Sequence, residues 1–80
     1  MKVQVLFFGA TAEAVGEREI EFDLAGEAAK ASEAFEEIVG RFPQLRQHSL
    51  LFAVNQEYAG GDETIQSGDE LAIFTAVSGG

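Results

Sequence analysis

The chain closes on Val77-Ser78-Gly79-Gly80, and this run is where chemistry could reside. Glycines lack a Cβ, so the pair makes a thin tail that can pass through a narrow channel and adopt backbone angles closed to other residues. Gly80 carries the terminal carboxylate. A carboxylate is resonance-stabilised and a poor electrophile, so it accepts sulfur or an amine only after gaining a leaving group. An acyl adenylate made from ATP by a separate enzyme would supply one. Nothing in this chain reads as a nucleotide loop, since Gly60-Gly61-Asp62 is not followed by Gly-Lys-Ser/Thr. Gly80 is therefore the candidate reacting group and Gly79 the tail that delivers it. Holding each tail residue in place costs roughly 1–2 kcal/mol, which burial of another surface must offset.

Elsewhere the residues do not assemble ordinary catalysis. There is no cysteine, so no disulfide and no thiolate ligand, and the single histidine, His48, cannot build a metal cage alone. It reads as a surface loop residue beyond Pro43. The acidic residues follow strand alternation or helix faces and read as solvated. The net charge of −9 argues against nucleic acid, whose phosphates need clustered Lys and Arg, and against an anionic membrane surface. No secretory signal or bilayer-length apolar run is visible. The expectation is one soluble cytoplasmic domain over residues 1–76, followed by a flexible tail at 77–80.

Several elements must position that tail. Val3 to Phe8 is rich in β-branched and aromatic residues and reads as a first strand closed by Gly9; Thr11 to Val15 reads as a helical turn stopped by Gly16. Arg18 to Leu24 alternates, with Ile20, Phe22 and Leu24 opposite Glu19, Glu21 and Asp23, as in a half-buried strand. Phe35, Ile38, Val39 and Phe42 recur at i, i+3, i+4, i+7 and predict an amphipathic helix ended by Pro43. Ser32 is the candidate N-cap, with a start nearer Glu27 as the alternative. Leu50 to Val54 predicts a third strand, Asn55-Gln56 a turn and Glu57 to Ala59 a return strand. Ser67-Gly68-Asp69 predicts a tight turn and Glu70 to Thr75 the last strand.

One long helix can cover only one face of such a sheet. The order predicts an α+β, β-grasp (ubiquitin-like) fold: a mixed sheet, first and last strands central, one main helix packed on one face. Leu71 and Ile73 would meet the helix with Val3, Val5 and Phe7. Ala72, Phe74, Leu6 and Phe8 would face away, joined by Tyr58. Phe8, Tyr58 and Phe74 would form an apolar patch at the root of the tail and mark a docking surface.

Val5-Leu6-Phe7-Phe8-Gly9, Ala53 to Tyr58, Gly68 to Phe74 and Val77-Ser78-Gly79-Gly80 together resemble the small subunits of molybdopterin synthase, the ubiquitin-like sulfur carriers of molybdenum cofactor synthesis. The likeness spans nearly the whole chain and is weakest from Gly26 to Ser49. It implies that an E1-like adenylyltransferase uses ATP and Mg²⁺ to adenylate Gly80, and that a sulfur donor system converts it to a thiocarboxylate. The large synthase subunit would then pass the sulfur to cyclic pyranopterin monophosphate. The carrier would be non-catalytic and bind no cofactor itself, and two copies of each subunit would form a heterotetramer. Phe8, Tyr58 and Phe74, with Val77 and Ser78 of the tail, match positions that bind partners. Where the family often has Phe-Pro-Pro-Val, this chain has Phe74-Thr75-Ala76-Val77, which leaves the tail root less stiff. Three other readings share these features: a sulfur carrier for thiamin thiazole synthesis, a modifier conjugated to lysines, and a plain interaction module.

Overall fold

The computed structural model describes residues 1–76; Val77, Ser78, Gly79 and Gly80, the expected tail, lie outside the described residues. The elements in order are β1 (Lys2–Phe7), α1 (Ala10–Val15), β2 (Glu19–Asp23), β3 (Ala28–Lys30), α2 (Ala31–Arg41), a 3-10 helix (Pro43–Gln47), β4 (Leu50–Val54), β5 (Glu57–Tyr58), β6 (Thr64–Gln66) and β7 (Glu70–Thr75). Five strands form one sheet in the order β2-β1-β7-β4-β5, and β3 and β6 form a second, two-stranded sheet. β1 and β7 are parallel central neighbours, while β2 and β4 run antiparallel to them. This is the mixed β-grasp sheet that the element order implies.

The alternating strands choose one side for the core. Val3, Val5 and Phe7 of β1 and Leu71 and Ile73 of β7 are buried against Phe35, Ile38 and Val39 of α2. The predicted stripe thus faces inward through its first three members. Phe42 falls just past the helix as its C-cap and still packs edge-on to Phe7, with ring centroids 5.8 Å apart. Phe52 of β4 stacks on Phe35 at 4.2 Å.

The start of α2 differs from expectation. Its N-cap is Lys30, not Ser32, and residues 28–30 are strand rather than an earlier helical turn. With the cap two residues upstream, Glu33 falls at the third helical position, and its Oε1 accepts the Lys30 N–H at 3.1 Å. A Lys side chain cannot accept a helix N–H, so the remaining donors find carbonyls elsewhere. The Ala31 N–H donates to the Glu63 carbonyl at 2.7 Å and the Ser32 N–H to that of Gly61 at 3.0 Å. That loop is ordered by Glu63, whose carboxylate accepts the N–H of Gly60 at 2.6 Å and of Gly61 at 2.8 Å.

Two further features were not legible as elements. The segment after Pro43 winds into the 3-10 helix, which sinks Leu45 completely into the core. The β3–β6 pair buries Ile65 at its centre.

Candidate functional site

The sheet face away from α2 is the candidate site. On β7 the outward residues are Ala72 and Phe74, and register brings Leu6 of β1 beside Ala72 on one side and Ala53 of β4 on the other. Leu51 of β4 lies opposite Phe74, and Tyr58 of β5 lies opposite Ala53. The two alanines at the centre keep the floor low. Together with Leu6, Phe8 and Phe74 they line a shallow depression of about 590 Å³, edged by Gln56, Glu70 and Thr75.

The three aromatic residues singled out from the sequence meet here. Tyr58 is 76% exposed and Phe8 52% exposed, whereas Phe74 is half-buried between its neighbours. The Tyr58 and Phe74 rings lie 5.8 Å apart, tilted by 52°. Leu51, 37% exposed, extends the patch and was not singled out, although the alternation of β4 puts it opposite Leu50 and Phe52. Val77, Ser78, Gly79 and Gly80 lie outside the described residues. Ala76 can be placed: its N–H donates to the Ser49 carbonyl at 3.2 Å, continuing the β4–β7 ladder one residue beyond Thr75. The chain therefore leaves the sheet at the Phe74–Leu51 end of the apolar face.

A buried hydroxyl fixes that corner, and sequence reasoning missed it because Thr11 reads there as one residue of a helical turn. Thr11 is fully buried. Its Oγ1 accepts the Phe8 N–H at 3.0 Å and lies 2.7 Å from the Phe8 carbonyl and 2.8 Å from the Ile73 carbonyl, its one proton being available to either. The Phe8 N–H also reaches the Ile73 carbonyl at 3.2 Å. These bonds tie the end of β1 to β7 and hold Phe8 and Phe74 on one surface.

The face has a charged border. Glu19 and Glu21 of β2 lie opposite Leu6 and Gln4, so Glu19, Glu21 and Asp23 stand in a row beside the patch. Lys2 reaches Glu21 at 3.4 Å, with both side chains largely exposed. Among the described residues no group of three His, Asp or Glu side chains could hold a metal ion, and no helix is long and apolar enough to cross a membrane. His48 is half-buried beyond the 3-10 helix, its N–H donating to the Leu45 carbonyl. What the arrangement can do is dock a surface and present the residues that follow Ala76.

Known proteins are similar to this chain over all or nearly all of their length. The chain is 34% identical to the molybdopterin synthase sulfur carrier subunit of Chlamydomonas reinhardtii, covering all of both chains. It is 38% identical to the protein of that name from Homo sapiens, over 99% of this chain and 94% of that one. Among solved structures, SAMP1 of Haloferax volcanii, a small archaeal modifier protein, superposes with a TM-score of 0.83 at 31% identity over the full length of both. Residues 5–80 match the ThiS family. With a β-grasp core, an uncovered apolar face and a Gly-Gly end, this chain belongs to the ThiS family.

Proposed function

We propose that this chain is the sulfur carrier subunit of a molybdopterin synthase. The observation that carries the reading is its end-to-end likeness to proteins of that name. The apolar face contiguous with the root of the Gly-Gly segment supports it. An E1-like adenylyltransferase would use ATP and Mg²⁺ to join the Gly80 carboxylate to AMP, releasing pyrophosphate. A sulfur donor would then displace AMP and leave a thiocarboxylate. In the large subunit the thiocarboxylate sulfur bonds to cyclic pyranopterin monophosphate, and water then hydrolyses the acyl–sulfur bond, leaving the sulfur on the pterin and returning Gly80 as a carboxylate. The catalytic side chains belong to the partners, and the setting is the cytoplasm. This chain contributes the acyl group, the thin tail of Gly79 and Gly80, and a docking face of Phe8, Tyr58 and Phe74, with Val77 and Ser78 leading into the partner. Burial of that face offsets the ordering of the tail.

The test is the intact mass of the chain after incubation with an E1-like enzyme, ATP and a sulfur donor. The expected gain equals one oxygen replaced by one sulfur, localised to Gly80, and one residue added after Gly80 should abolish it. No gain with a competent enzyme would overturn the reading. The likeness to SAMP1 favours a second reading, a modifier joined through Gly80 to lysines of other proteins. That reading predicts isopeptide conjugates in cell extract rather than a free thiocarboxylate.

A further inference from the structure

The hairpin between β4 and β5 turns on Asn55 and Gln56, and both have positive φ, 49° and 71°. Two-residue turns of this hand favour Asn followed by Gly, because a Cβ in the left-handed region is disfavoured. Asn55 has its reason within the chain. Its Oδ1 accepts the Glu70 N–H at 2.9 Å and its Nδ2 donates to Asp69 Oδ1 at 3.2 Å, clipping the turn to the start of β7. Gln56 has none. It is exposed, and among the described residues its carboxamide has no hydrogen-bond partner. What it does is edge the apolar depression beside Ala53, Glu70 and Phe74.

We infer that Gln56 is a binding contact of the docking face, its carboxamide hydrogen-bonding a main-chain peptide group of the large subunit at the rim of the depression. This rests on the reading of the face as the surface that docks that subunit. A carboxamide carries donors and an acceptor in the geometry of a peptide unit, so it pairs with one. Being neutral, it is desolvated at lower cost than the neighbouring Glu70 carboxylate. Polar contacts at the rim of a buried apolar centre are the usual arrangement of a protein interface. The strained backbone holds a side chain there that glycine could not supply, and strain concentrated where a ligand binds follows the general pattern.

Calorimetric titration of the purified large subunit, with thermal melts of each variant, tests this. Gln56→Ala keeps the backbone demand and removes the carboxamide; its affinity should fall about three- to tenfold, the worth of a hydrogen bond, with an unchanged melting temperature. Gln56→Gly should lose the same affinity yet melt about 3–5 °C higher. In the sulfur-transfer reaction both should raise the KM for the carrier and leave kcat unchanged. Tyr58→Ala serves as the reference, since that residue is 76% exposed, and its own thermal melt separates binding from stability. If Tyr58→Ala binds like the parent, the reading of the face fails. If Tyr58→Ala weakens binding and both Gln56 variants bind like the parent, the inference about Gln56 alone fails. A lower melting temperature for Gln56→Gly would also overturn it, by showing that Gln56 supports the fold.

Discussion

Thr11 shows how one side chain shapes the apolar face from beneath. Its hydroxyl is out of water and serves the backbone of both β1 and β7 at the corner where Phe8 and Phe74 emerge. Thr11→Val keeps the shape and removes the hydroxyl, leaving buried carbonyls short of a donor. The expected loss is about 1–3 kcal/mol, read from denaturant midpoints, with partner affinity falling beyond what the unfolded fraction explains. A stability loss without any effect on binding would mean that the corner does not set the face.

At the scale of elements, α2 is positioned by a loop rather than by a cap of its own. The N–H groups of Gly60, of Glu63 itself and of Gly61 hold the Glu63 carboxyl below the usual carboxylate range, and the same loop supplies carbonyls to the first turn of α2. Because the folded value is depressed, this contribution is complete above the unfolded value, about 4.3. It disappears as pH falls through the lower folded value. Glu63→Gln should therefore flatten the fall in melting temperature below about pH 4.3, with its largest cost near neutrality. At the other end of α2, Gly40 is exposed, and a Cβ built there meets nothing within 4 Å. Gly40→Ala should add about 0.5–1 kcal/mol, measurable by chemical denaturation. A loss would show that the end of α2 needs the freedom of glycine.

The whole molecule carries −9 over 80 residues, and its described residues leave an apolar face uncovered. Two copies meeting through that face would bring their Glu19, Glu21 and Asp23 rows into the same interface, so self-association is opposed by charge. A partner with a basic border is attracted instead. Association with the large subunit should slow by about tenfold or more between low and high salt, as steering is screened. The dissociation rate should change little, because burial of Phe8, Tyr58 and Phe74 is not screened. Stopped-flow rates across a salt series check this, and a salt-independent association rate would remove the electrostatic role.

Much of the molecule was legible in the sequence because it repeats a period. Alternation in the strands around Val5, Phe22 and Ile73 and the 3.6-residue spacing of Phe35, Ile38 and Val39 determined which side of each element is buried. With those sides chosen, the outward phase of Phe8 and Phe74 followed, and the Gly-Gly end needed no fold to be noticed. What carries no period was decided only in three dimensions. Ser32 reads locally as the cap of α2, because the partners of the helix's first N–H groups, Gly61 and Glu63, lie some thirty residues away and arrive only when the loop folds back. The burial of Leu45, the pairing of β3 with β6 and the clasp of Thr11 on Ile73 depend in the same way on distant contacts. Local chemistry determined the faces; long-range hydrogen bonds and close packing decided how their edges join, and so where the apolar face meets Ala76.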